Sequence, residues 1–159
     1  MPSKKAKRNM QVKIEDIKKL RELTSAGVSD CRQALEETGG DMTKATEILR
    51  KMGIEKAAKK ASREVKAGMI FSYIHHTGRL GSMIALACET DFVAKTEDFQ
   101  KLGKELALQV ASTAPANLEE LLAAEYFRDA GKKVKDMISE VIGKLGENIQ
   151  VMDFKVVTV

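Results

Sequence analysis

The residues with the greatest capacity for chemistry are few: two histidines, two cysteines and carboxylates scattered through 159 residues. His75 and His76 are adjacent on a segment with strand character. Neighbouring side chains on a strand point to opposite faces, so the pair is not expected to chelate one ion together. One ring is expected to be partly packed and the other exposed at the following turn. Cys31 and Cys88 lie far apart, each inside an apolar pattern and neither in a CxxC pair. That spacing argues against zinc, and in a reducing compartment both read as small core residues rather than a disulfide. There is no GxxxxGK followed by Ser or Thr, no HExxH and no GxSxG. The expectation is a protein with no catalytic residues, cofactor or metal, whose function is binding.

One segment departs from this plain reading. Thr90-Asp91-Phe92-Val93-Ala94-Lys95 falls between an apolar strand and the next helix, where an exposed loop is expected. Fully burying a phenylalanine is worth about 1.5–3 kcal/mol, so leaving Phe92 in water is costly. Either Phe92 folds back into the core, as single loop aromatics commonly do, or it is presented to a partner. Physics alone favours the core.

The elements that must position this segment can be read from spacing. Residues 12–54 form three short helices. Ile14, Ile17, Leu20 and Leu23 mark one side of the first, which Thr24-Ser25-Ala26-Gly27 ends. The second starts with Ser29 as N-cap and Asp30 in its first turn, carries Cys31, Ala34 and Leu35, and stops at Gly39-Gly40. Asp41 caps a third helix with Ala45, Ile48, Leu49 and Met52 on its apolar face, ending at Gly53. Three such helices with short connections must pack on one another as a small bundle. Residues 55–67 (EKAAKKASREVKA) read as a solvated linker helix. From residue 68 to 159 the pattern is α+β. Met69–His76 and Gly81–Glu89 flank Thr77-Gly78-Arg79 as a hairpin, whose near-continuously apolar second strand is central in its sheet. Thr96 starts a helix buried through Phe99, Leu102, Leu106 and Val110. Asn117 with Glu120 starts another through Leu121, Leu122, Tyr126 and Phe127. Val134, Met137, Ile138, Val141 and Leu145 mark a last helix closed by Gly146, and Ile149–Val159 returns as a strand. The fold class is α+β: a three-helix N-terminal module, a linker helix, and about three antiparallel strands covered by helices.

Aromatic content of 4% with no Trp requires the core to come from aliphatic residues, which suits helices. The net charge of +4 is mild, and Lys4, Lys5, Lys7 and Arg8 place part of it in residues 1–11, read as a disordered basic arm. A solvated tail is preferred to an RNA contact there. No apolar run follows it as a secretory signal would need. The longest apolar stretch, Met83–Cys88, is far short of the roughly 20 residues of a membrane helix. A cytoplasmic protein is expected.

These segments also resemble a known family. Thr90–Lys95 (TDFVAK) is similar to the signature of the elongation factor Ts family. Leu20–Leu35 (LRELTSAGVSDCRQAL) resembles its N-terminal signature, which Gly40-Asp41, Ala45 and Leu49 continue. Lys56–Lys60 (KAAKK) resembles its linker, and Ile142–Val151 (IGKLGENIQV) the end of its core. The matches come in the family's order and span nearly residues 12–154. The helical module likewise resembles the ubiquitin-associated type.

The resemblance implies a guanine-nucleotide exchange factor that binds elongation factor Tu carrying GDP and lets GTP replace it, with no bond chemistry and no cofactor. It implies that Thr90, Asp91, Phe92 and Val93 meet the partner near its magnesium and phosphate region, which reverses the expectation for Phe92. Leu20, Val28 and Arg32 would hold the partner through the N-terminal module. Val28 and Ser29 stand where the family usually has two methionines. Long members carry a duplicated core with a coiled-coil insertion, whereas this chain has one copy; short members pair through their sheets, implying a homodimer. The alternative is a ubiquitin-associated-like helical adaptor without exchange activity, which leaves TDFVAK and IGKLGENI unaccounted for. RNA binding through Lys4–Arg8 and Lys56–Lys66 is a further alternative, short of aromatics for stacking on bases. A member that binds but no longer exchanges is opposed by the intact Asp91-Phe92 pair.

Overall fold

The computed structural model describes residues 11–159. The basic residues Lys4–Arg8 lie outside them. The described chain divides into two compact units, one up to Met52 and one from Gly53 to Val159.

The first unit contains α1 (Ile14–Thr24), α2 (Val28–Thr38) and the start of α3 (Met42–Lys60). Its core is Leu20, Cys31, Ala34, Leu35, Ala45 and Leu49. The expected stripe on α1 is buried only in the middle: Leu20 is inaccessible, whereas Ile14 and Leu23 are 71% and 70% exposed. Steps of three residues each fall about 60° short of a full turn, so the ends of such a stripe rotate to opposite sides. Gly27, not Ser29, is the N-cap of α2, and Asp30 lies in the first turn. Gly39 closes α2 in the left-handed conformation at φ 65°, and the Asp41 carboxylate accepts the Lys44 N–H at 3.1 Å to start α3.

The third helix does not stop at Gly53, and no separate linker helix spans 55–67. One helix continues to Lys60, because a glycine inside a helix costs only about 1 kcal/mol. Lys59 and Lys60 suit its negative end, and Ala57 is buried in the core of the second unit. The connector cannot remain helical, since Lys66 donates its N–H to the Cys88 carbonyl and Ala67 opens a strand.

The second unit is built on a sheet of β1 (Ala67–Ile74), β2 (Leu80–Cys88) and β5 (Ile149–Thr158), all antiparallel, with β2 in the centre. Ala67 opposes Cys88 in one ladder; Cys88 opposes Ile149 and Leu80 opposes Thr158 in the other, with a register shift after Ala85. Between β2 and β5 lie α4 (Asp91–Ala94), α5 (Glu97–Thr113), α6 (Leu118–Ala123), the hairpin β3 (Glu125–Tyr126) and β4 (Asp129–Lys133), and α7 (Val134–Leu145). The inner face of the sheet packs Phe71, Ile84, Leu86 and Val151 with Phe99, Leu102, Leu106 and Val110 of α5 and Ile138 and Ile142 of α7. Gly103 lets α5 approach: a Cβ there would lie 2.1 Å from the Phe71 ring. The buried Ser82 hydroxyl donates to the Ala107 carbonyl at 2.6 Å, so the one polar side chain of the strand facing α5 is satisfied.

Two more expectations need correction. Tyr126 and Phe127 do not continue α6. The buried Gln109 amide donates to the Glu125 carbonyl at 3.1 Å and accepts the Phe127 N–H at 2.9 Å, which takes the backbone out of helix and into the β3–β4 hairpin. His75 and His76 follow β1 rather than ending it, so strand alternation does not separate them. Their ring centroids are 4.1 Å apart, and the Thr77 hydroxyl lies 2.9 Å from His75 Nδ1.

The hairpin is also held by Tyr126, whose hydroxyl donates to Glu105 Oε2 at 2.5 Å, and by Arg128, which donates to the same carboxylate at 2.7 Å. Burial pulls the Glu105 carboxyl up, but these hydrogen bonds outweigh it and hold it below the usual range. Burial, and then the Glu105 carboxylate, push the Tyr126 phenol up to about 12. A phenol raised on folding contributes stability below its unfolded pKa of about 10 and loses it as pH rises through the folded value. Alkaline titration of phenolate absorbance in a Tyr73→Phe background should give a midpoint near 12. Glu105→Gln should bring it back towards about 10. A midpoint already near 10 with Glu105 in place would contradict the contact.

Candidate functional site

The Thr90–Lys95 segment is not a loop but a capped single turn. Thr90 is the N-cap of α4 in extended conformation, and its Oγ1 accepts the Val93 N–H at 3.4 Å. Backbone bonds from Ala94 to Thr90 and from Lys95 to Asp91 close the turn. Thr96 Oγ1 donates to the Val93 carbonyl at 2.7 Å and accepts the Phe99 N–H at 3.3 Å, so the cap of α5 begins where α4 ends.

Helical geometry then sorts the side chains. Val93 and Ala94 point inward and are buried in the core of the unit. Asp91 and Phe92 point outward, and Phe92 is 81% exposed. Physics alone placed this ring in the core. It stays outside because the inward positions of the turn belong to Val93 and Ala94. Four residues make one turn, and one turn has only one buried side. Of the four residues singled out here, Thr90 sets the turn, Val93 anchors it, and Asp91 and Phe92 form its accessible surface.

The approach to this turn is also fixed. The Cys88 thiol, inaccessible at the end of β2, donates to the Thr90 carbonyl at 3.2 Å. Burial, and then the nearby Glu147 carboxylate, push this thiol above its ordinary pKa. Cys88 is therefore a buried hydrogen-bonding thiol, not a nucleophile. Glu147 accepts the N–H groups of Glu89 and Thr90 at 3.1 and 3.0 Å and the Thr90 hydroxyl at 2.6 Å. Glu89 in return accepts the Asn148 N–H at 2.7 Å, and the Asn148 amide donates to the carbonyls of Ala61 and Arg63. Sequence reasoning did not single out Glu147 or Asn148. The available signal was a polar pair between the helix-closing Gly146 and the first residue of β5.

In the first unit, Val28 is the first residue of α2 and 51% exposed, and Leu23 near the end of α1 is exposed as well. Arg32 lies one turn further on and is exposed, paired with Glu36 at 2.9 Å. Such a pair on a solvated helix contributes about 0.3–0.5 kcal/mol and leaves the guanidinium available. Leu20 is fully buried against the core of this unit. It supports the α1–α2 surface from beneath and does not itself present to solvent. The described residues contain no group of three or more His, Cys, Asp or Glu arranged to hold a metal ion. No described helix is long and apolar enough to cross a membrane.

Comparison with known proteins matches this arrangement to one family. A family model described as Elongation factor TS matches residues 89–159, from just after β2 through the capped turn α4 to the last strand. The elongation factor Ts of Fervidobacterium nodosum is 39% identical over 190 aligned positions, covering 91% of this chain and 96% of that protein. That of Petrotoga mobilis is 41% identical over the same span, with the same coverage. Both alignments are longer than this chain's 159 residues, so these relatives carry segments it lacks. The elongation factor Ts of Aquifex aeolicus is 46% identical over 146 positions, which is 89% of this chain and 50% of that relative. With relatives so named matched along about nine-tenths of its length, the chain belongs to the elongation factor Ts family of translation elongation factors.

Proposed function

We propose that this protein is a guanine-nucleotide exchange factor for elongation factor Tu, acting in the cytoplasm and without bond chemistry of its own. The observation that carries the reading is the exposed Phe92 beside Asp91 on a capped, anchored turn. A ring presented on a fixed turn can be inserted between two elements of a partner without reordering its own backbone, and its burial supplies the energy. Asp91 brings a carboxylate to the same place, where it competes for the hydrogen bonds around a nucleotide-bound magnesium ion. Val28 and Arg32, supported by Leu20, form a second contact through the helical module. Residues 12–54 and 68–159 then serve as binding head and exchange core.

Exchange requires reciprocity: whatever weakens GDP in the presence of this protein weakens this protein in the presence of GDP by the same factor. A coupling of about 1.4 kcal/mol gives tenfold, and the ring of Phe92 has about 1.5–3 kcal/mol available from burial.

The same core has a second unpartnered surface. On the outer face of the sheet Ile70, Ile74, Met83 and Val157 are exposed, and the register places Ile74, Gly81 and Val157 in one row. The reading includes a homodimer formed by apposition of two such faces, giving two copies of each protein in the complex with elongation factor Tu. Light scattering should return twice the 17.5 kDa chain mass, and Ile70→Lys with Met83→Lys should return one. A wild-type monomer at working concentration would remove the dimer.

For exchange itself, release of a fluorescent GDP from elongation factor Tu is followed by stopped flow. Substoichiometric wild-type protein should accelerate release, and Phe92→Ala should reduce the acceleration by about tenfold or more. Equal acceleration by both proteins would move exchange away from Phe92. No acceleration by either would leave a binding module only.

A further inference from the structure

The turn after α7 holds the base of the wedge. Glu147 Oε2 accepts the Glu89 and Thr90 N–H groups, and its Oε1 accepts the Thr90 hydroxyl. One carboxylate therefore takes three donors from the two residues that precede α4. Because the Thr90 hydroxyl proton is directed at Glu147, an oxygen lone pair is left facing the Val93 N–H, so the carboxylate orients the cap itself. Glu89 and Asn148 return the contact in the opposite direction at 2.7 Å. Residues 89–90 and 147–148 thus clasp each other across two chain segments more than fifty positions apart. A four-residue helix has no stability of its own, so its direction is set by this clasp and by Val93 and Ala94 beneath it.

We propose that Glu147 is a positioning residue for nucleotide exchange: by holding Thr90 it fixes the direction in which Phe92 is presented. This rests on the exchange reading above. The charge matters as well as the shape. Hydrogen bonds to a carboxylate are stronger than those to an amide, and a glutamine can accept the backbone N–H groups but not the Thr90 hydroxyl with its second terminal atom.

The test is a double-substitution cycle read by GDP release from elongation factor Tu, over a range of chain concentration. It uses wild type, Glu147→Ala, Glu147→Gln, Phe92→Ala and the Glu147→Ala/Phe92→Ala double variant, each with its thermal midpoint. Glu147→Ala should lower the saturating release rate about tenfold while changing the half-saturating concentration less than about twofold, since the rest of the binding surface is intact. Glu147→Gln should fall between it and wild type. Added to Phe92→Ala, Glu147→Ala should cost clearly less than it does alone, because it acts through the turn that presents the ring and only the share carried by Asp91 is left to lose. A merely structural role would lower the rate of Phe92→Ala again by the same factor, and that additive result would overturn the proposal. So would a wild-type rate in Glu147→Ala. If Glu147→Ala does not fold, the Glu147→Gln cycle reads the same non-additivity. Should wild type itself leave GDP release at its intrinsic rate, the exchange reading fails and this inference falls with it; wild-type acceleration indifferent to Glu147 overturns this inference alone.

Discussion

The central strand β2 needs a neighbour on each side, and the chain supplies them from very different distances. The first ladder, to β1, closes across a short turn between Ile74 and Leu80. The second pairs Cys88 with Ile149 and Leu80 with Thr158, so nearly the whole remaining chain must fold before the sheet is complete. Ile84, Leu86 and Cys88 are buried from this strand, and they bury only when α5 and α7 lie across it. Such non-local pairing carries a larger loop-closure cost than the β1–β2 hairpin. Its consequence is specific: the return of β5 delivers Gly146-Glu147-Asn148 to the end of β2, where the chain leaves the sheet.

At that exit the exposed ring becomes affordable in physical terms. A single helical turn does not hold itself, and an exposed phenylalanine forgoes about 1.5–3 kcal/mol of burial. Both costs are met by groups around the turn: the Thr90 and Thr96 caps, the Cys88 thiol on the Thr90 carbonyl, the Glu147 carboxylate, and Val93 and Ala94 in the core. The result is a pre-organised surface residue, and pre-organisation lowers the entropy lost when a partner is engaged.

Much of this was legible in the sequence, because the caps are local. Thr96 starts α5, Asn117 starts α6 with its Oδ1 on the Glu120 N–H at 2.8 Å, and Gly146 closes α7 at φ 77°. The centrality of β2 followed from its continuous apolar run. What escaped was decided at a distance. Tyr126 leaves the helical pattern because Gln109 and Glu105, on another helix, bind its backbone neighbours and its hydroxyl. Gly53 reads as a stop but sits inside α3, since Ala57 is drawn into the core beyond it. For Phe92 hydrophobicity alone pointed inward and the family resemblance pointed outward; the local competition of Val93 and Ala94 for the single buried side of the turn leaves it exposed. Glu147 showed in the sequence only as half of a polar pair after Gly146; its hydrogen-bonding role exists only once β5 has returned.

The most direct measurement follows the ring itself. With fluorine-labelled phenylalanine in place of the five phenylalanines, and the Phe92 resonance assigned by its loss in Phe92→Leu, the free protein should show that resonance fully solvent-exposed. Adding elongation factor Tu should shift and broaden it as the ring is buried, and excess GDP should return it to the free position. A Phe92 resonance that stays unmoved while other resonances report complex formation would contradict the assignment of this ring as the wedge.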